Sequence, residues 1–230
     1  MLLPFDEVRT LLIYCMKVIT KRQLPFLRWL SFLFCSHLGC PKIPYLCELN
    51  TIAMSNFDPN SYAPKNGHFI GLPYTAAEAT VLLLPVPWEA TVSSNAGTAG
   101  GPAHILAASY QLDLWDDTVP NAWATPIYFV PPSGMVQAWN AAARPLAAAH
   151  IERLETQQPV DAQLVEQVNA YSAQVNAWVY QQCRAYLQQG KKVGLLGGEH
   201  SVPFGYLQAL AEQSDFGILQ IDAHADLRVA

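Results

Sequence analysis

"LLGGEHSVPFGYLQALAEQSDFGILQIDAHADLRVA" spans residues 195–230, and the order of its elements decides the fold. "KVGLLGG" (192–198) is a short apolar run that ends in two glycines, which reads as a buried strand. "VPFGYLQALAEQ" (202–213) has the apolar spacing of a helix, and "FGILQID" (216–222) reads as a second strand. Strand, loop, helix and strand in succession predict a parallel sheet covered by helices. In such sheets functional side chains gather at the carboxyl ends of the strands. His200 lies just beyond the first strand and Asp222 closes the second, so both are predicted to reach one rim, on adjacent strand ends. Gly197 and Gly198 allow the sharp turn that would bring His200 toward the neighbouring strand end.

The D-x-H-x-D spacing of Asp222, His224 and Asp226 concentrates the chemistry further. In an extended segment, alternate side chains share a face; in a curved one they wrap a common point. Carboxylates and imidazoles gathered this closely call for cations among them. Oxygen donors with a minority of imidazole favour Mn²⁺ or a similar divalent ion over a thiolate zinc site. Each residue also has a plain reading: a satisfied loop histidine, a helix-capping aspartate, an exposed polar loop. Those readings must jointly place four ligand-type residues on two strand ends, which the clustering of acids argues against.

Working outward, the strongest helical pattern runs from about Asp161 to Gln189. Leu164, Val168, Tyr171, Val175, Trp178, Cys183 and Tyr186 recur at helical spacing, and Gly190 stands where a helix stops. "TVLLLPVPW" (80–88) predicts a strand buried on both faces. A glycine-rich loop follows, then a helix with Pro102 in its first turn. "TPIYFV" (125–130) is a further strand or an edge insertion, and 54–78 is turn-rich.

Composition places these elements in an enzyme-like domain: 51% hydrophobic, 13% charged and a net charge of −5. The absence of a long basic stretch argues against a nucleic-acid partner, and no apolar run is long enough to span a membrane. The average hides a split. Residues 1–53 hold six of the 13 Lys/Arg, three of the 18 Asp/Glu, and four of the five cysteines (Cys15, Cys35, Cys40, Cys47). Their cysteines lack the paired spacing of a zinc site, and "QLPFLRWLSFLFCSHLGC" (23–40) lacks the cleavage site of an export signal. Two units are therefore expected: an atypical extension at 1–53, read as translated upstream sequence, and a main body at 54–230. The main body, with Cys183 alone, is expected to be a reduced cytoplasmic protein.

"GGEHS" (197–201) together with "DAHADLR" (222–228) resembles the ureohydrolase family of arginases, agmatinases and formimidoylglutamases. "GTAGGPAHIL" (97–106) resembles that family's G-x-x-x-G-P-x-x-I element, so the likeness covers about residues 80–230. Glu199 stands where many members have aspartate. The resemblance implies a three-layer α/β/α fold with a mostly parallel sheet. It also implies two Mn²⁺ (Ni²⁺ in a few relatives) that activate a shared water for attack on a guanidino or formimino carbon. Carried over by position, His200 and Asp226 would bind one metal, His224 the other, and Asp222 both. An agmatine-type cationic substrate is expected to give urea and an amine; formimidoylglutamase and arginase activities remain alternatives, as does a non-catalytic metal-binding remnant or partner subunit. A homo-oligomer is implied as well.

The family's two later aspartate ligands, its substrate-facing acid and its proton-transfer residues have no counterpart in the sequence. The chain is accordingly expected to be an N-terminal portion of the domain, truncated after the DAHAD segment, and inactive on its own.

Overall fold

The computed structural model describes residues 12–15, 57–93, 96–119 and 121–224. Strand β1 is Leu12–Cys15, β2 Val81–Val86, β3 Ile127–Phe129, β4 Lys192–Gly197 and β5 Ile218–Ile221. The helices are α1 (Gly101–Ser109), α2 (Gly134–Glu155), α3 (Ala162–Gln188) and α4 (Phe204–Ala211). Among the described residues no helix is long and apolar enough to cross a membrane.

All strand pairs are parallel. β2 is central in a three-stranded sheet of order β3-β2-β4, with Leu82 opposite both Tyr128 and Val193. A parallel strand with neighbours on both sides needs apolar residues on both faces. "VLLLPV" supplies them, and Leu82, Leu84, Pro85 and Val86 are all buried. Leu84, Val86 and Val193 meet Val136 and Ala143 of α2, Val175, Val179 and Cys183 of α3, and Tyr206, Ala209 and Leu210 of α4 in one core. The expected parallel sheet covered by helices is therefore present.

α3 follows the spacing predicted for it. Val168, Val175, Val179 and Cys183 are buried, and the Asp161 carboxylate accepts from the backbone N–H groups of Gln163 and Leu164, capping orphan donors of the first turn. Burial pushes the Cys183 thiol up to about 12, so this cysteine is a packing residue. α4 lies close against α3: a Cβ added at Gly205 would come within 2.3 Å of the Asn176 carbonyl oxygen.

Two observations differ from the sequence reading. The 22-residue helix α2 had no counterpart in it. β5, moreover, is paired with β1 in a separate two-stranded sheet, not with β4. The two strands expected to bear ligands are thus parallel-paired, each with a different partner, and are not hydrogen-bonded neighbours. β5 is poorly covered, with Ile218 60% and Ile221 40% exposed. Apart from Leu12–Cys15, the extension at 1–53 lies outside the described residues.

The start of β4 is tied to the turn before β2 by one cation. Lys191 Nζ donates to the carbonyls of Ala76, Ala77 and Ala79 at 2.9, 2.9 and 2.7 Å. Lys191→Met keeps the aliphatic stem and removes the three donors. It should cost about 1–2 kcal/mol, read as a lower urea midpoint with an unchanged slope.

Candidate metal centre

β4 leads to the candidate ligand His200 through a turn that has no room for a side chain at residue 198. A Cβ on Gly198 would lie 2.2 Å from the Trp88 carbonyl oxygen, 2.9 Å from its carbon and 3.2 Å from the Ala99 nitrogen. That close approach lets the Glu199 N–H donate to the Trp88 carbonyl at 3.0 Å, which locks the end of β4 onto the segment that leaves β2. His200 follows on an exposed turn position.

Glu199 is a buried acid, only 8% exposed, and its carboxylate is densely hydrogen-bonded. Oε1 accepts from the Trp88 indole at 3.0 Å and the Ser201 hydroxyl at 2.7 Å. Oε2 accepts from the Thr91 N–H at 2.9 Å, and the Thr91 hydroxyl lies 3.0 Å from both oxygens. Burying a carboxylate is tolerated only with such compensation. The sequence reading gave Glu199 no role. The signal for one was an acid placed between a glycine turn and a candidate ligand histidine.

A second acid organises the glycine-rich loop. Glu89 Oε2 accepts from Gly97 N at 2.7 Å, Ala99 N at 2.9 Å and the Thr98 hydroxyl at 3.1 Å. Its own N–H donates to Asn140 Oδ1, and Arg144 Nη1 donates to the carbonyls of Ala90 and Val92, so α2 braces the same loop. Burial raises the Glu89 carboxyl. The Ala99, Gly97 and Thr98 hydrogen bonds and the Arg144 charge outweigh that and hold it below its ordinary value of 4.5. A depressed carboxyl stabilises the fold above its unfolded value and loses that contribution as pH falls through the lower folded value. The Gly97 and Ala99 amide resonances should therefore shift together on acidification, with a midpoint below 4.5, and should not move between pH 6 and 8.

At the end of β5, the Asp222 carboxylate accepts from the His224 N–H at 2.9 Å, and His224 Nδ1 lies 3.7 Å from the same oxygen. Asp222 keeps 14% of its side-chain surface and His224 73%. The His224 N–H bond has the largest effect on the Asp222 carboxyl and lowers it. Burial opposes that bond, and the imidazoles of His224 and His200 and the Ala223 N–H add smaller lowering effects, so the carboxyl is held below its usual range. His200 and Asp222 thus lie within electrostatic reach of each other although their strands are not paired.

The donor set is two imidazoles and a carboxylate at strand ends, which in chemistry suits a divalent cation of the Mn²⁺ type. Among the described residues, no three His, Cys, Asp or Glu side chains converge closely enough to hold an ion. Asp226, the fourth ligand expected from the sequence, lies outside the described residues. An open groove of about 560 Å³ is found elsewhere, between α3 and α4, lined by Asn176, Tyr180, Phe204, Gln208 and Glu212. None of the candidate ligands lines it.

Comparison with known proteins agrees with this architecture. The profile of the arginase family matches residues 79–230, and the chain belongs to that family. It is similar to the N(1)-aminopropylagmatine ureohydrolase of a Synechocystis species, at 28% identity over 157 residues. That match covers 66% of this chain and 42% of the relative. An N(1)-aminopropylagmatine ureohydrolase of Thermus thermophilus is 29% identical over 151 residues, covering 65% of this chain and 41% of that protein. The chain thus spans about two fifths of the length of these curated relatives. No solved structure matches it.

Proposed function

We propose that residues 79–230 carry the metal-ligand rim of a ureohydrolase that cleaves the guanidino C–N bond of an agmatine-type substrate. The observation that supports this best is the placement of His200 just beyond the end of β4 and of Asp222 at the end of β5 in an arginase-family chain. His200, Asp222, His224 and Asp226 would hold two divalent ions, Mn²⁺ in preference to Ni²⁺, with Asp222 as the ligand shared by both. Bound there, the ions supply the positive charge that makes a water nucleophilic near neutral pH. In the hydrolysis, the water oxygen becomes the urea oxygen. The bond from the guanidino carbon to the chain nitrogen breaks, and the departing amine takes up a proton. This chain's own contribution is to hold its imidazoles and carboxylates at the right rim before substrate arrives, which is a matter of preorganisation.

The relatives are named for N(1)-aminopropylagmatine, a longer polyamine-like guanidine. A linear cationic guanidine is accordingly the substrate class proposed here, with agmatine as its shorter form. The proposal also takes the protein to be cytoplasmic and homo-oligomeric, with no nucleic-acid or membrane partner. The activity is proposed for a domain of the relatives' length, of which this chain corresponds to about two fifths.

The test is a chimera in which residues 79–230 replace the corresponding segment of the Synechocystis relative. Supplied with Mn²⁺, it should release urea from N(1)-aminopropylagmatine or agmatine, and His200→Asn should reduce release to background. A folded, Mn²⁺-loaded chimera that releases no urea from either compound would contradict the proposal and favour a metal-binding role without turnover.

A further inference from the structure

We infer that Glu199 is a positioning residue: its buried carboxylate fastens the turn that presents His200, through donors drawn from both sides of that histidine. The inference rests on the reading of His200 as a metal ligand. Glu199 precedes His200 and Ser201 follows it, and the Ser201 hydroxyl donates to Glu199 Oε1 at 2.7 Å. The turn is closed on itself around the histidine. It is also fastened outward, because Trp88 Nε1 and Thr91 N donate to the two carboxylate oxygens and the Glu199 N–H donates to the Trp88 carbonyl.

A carboxylate offers about four lone-pair sites. The Trp88 indole, the Thr91 amide, the Ser201 hydroxyl and the Thr91 hydroxyl supply four donors to them. Glu199 is therefore engaged with protein donors and acts on a metal through His200, not as a ligand itself. Trp88 is 1% exposed, so the anchor belongs to the core and not to a mobile surface. The arrangement fixes the backbone on both sides of His200 and leaves that residue exposed on the turn.

Glu199→Gln separates this role from simple packing, because the shape is kept and one acceptor becomes a donor. Either orientation of the amide sets its NH₂ against an N–H that cannot accept: the Trp88 indole at one oxygen position, the Thr91 amide at the other. Two measurements on the 230-residue chain test the role: Mn²⁺ affinity from the electron paramagnetic resonance of free Mn²⁺, and the His200 ring resonance in the metal-free protein. In a cooperatively folded Glu199→Gln, Mn²⁺ should bind about 10-fold or more weaker than in the unsubstituted chain. The His200 ring resonance should move toward its motionally averaged position. Should that variant fail to fold, the pair Thr91→Val and Ser201→Ala keeps the carboxylate and both N–H donors while removing the hydroxyls; a smaller loss in the same direction is expected. Unchanged Mn²⁺ affinity together with an unmoved His200 resonance, in any of these folded variants, overturns the inference. His200→Asn tests the metal reading separately. If it leaves Mn²⁺ affinity unchanged, that reading fails, and the ring resonance alone decides whether Glu199 positions His200.

Discussion

Replacing Gly198 by alanine should cost about 2–3 kcal/mol of stability, the cost of forcing extra volume into a packed site that cannot yield. The new methyl would meet the Trp88 carbonyl oxygen at 2.2 Å and its carbon at 2.9 Å, which is backbone and not the end of a flexible side chain. Relief requires β4 and the segment after β2 to separate. That movement breaks the Glu199 N–H bond to Trp88 and the carboxylate network with it. Stability and Mn²⁺ affinity should therefore fall together. Gly134→Ala is the matched control: nothing lies within 4 Å of a Cβ built there, and the residue opens α2. Alanine at that position should be neutral or mildly stabilising. Equal denaturation midpoints for the two variants would refute the close-approach explanation.

Asp222→Asn is expected to be the most harmful ligand substitution for metal binding, and more harmful than His224→Asn. A carboxylate can share its oxygens between two cations, whereas an imidazole offers a metal one lone pair. Asparagine keeps the shape and removes the charge. A unit charge about 4 Å from an ion is worth about 4 kcal/mol at an effective dielectric of about 20, so binding should weaken at least about 100-fold. In calorimetric titration, Asp222→Asn should weaken both binding steps and His224→Asn mainly one. Identical loss of a single step in both variants would remove Asp222 from the bridging position.

The residues that announced the fold were those whose spacing had one interpretation. The apolar run of β2 and the apolar stripe of α3 emerge as predicted, and Asp161 and Gly190 bound that helix as capping chemistry requires. α2 was illegible for physical reasons. Its sequence, GMVQAWNAAARPLAAAHIERLE, begins with glycine, carries Pro145 inside it, and buries only Val136, Ala143 and Ala147. Proline deprives residue 141 of its helical partner, but Pro145 and Ala141 both face solvent, where water can take the carbonyl. The Ser133 hydroxyl, which accepts from Val136 N, was the start signal that a strict apolar count overlooks.

At the candidate site, the strand-end positions were readable and the strand pairing was not. His200 and Asp222 stand at strand ends as their glycine turn and strand pattern suggested, yet the pairing of β5 with β1 could not be read from "FGILQID". Strand partners are chosen by contacts remote in sequence, and a four-residue apolar strand specifies them weakly. The supporting acids were missed for a related reason. Glu89 and Glu199 take their roles from Gly97, Ala99, Asn140, Thr91 and Trp88, most of them distant in sequence; Glu89 belongs to no motif, and the GGEHS motif that contains Glu199 does not show which groups its carboxylate meets.

His200 and Asp222, carried on strands that are not hydrogen-bonded to each other, are proposed to serve one metal centre. Anomalous diffraction from crystals of the chain grown with Mn²⁺, recorded above and below the manganese edge, tests it most directly. An anomalous peak bonded by both the His200 imidazole and the Asp222 carboxylate is expected, at ligand distances of about 2.0–2.3 Å. An ordered His200 and Asp222 with no peak joining them, at Mn²⁺ concentrations that load other sites in the same crystals, would contradict it.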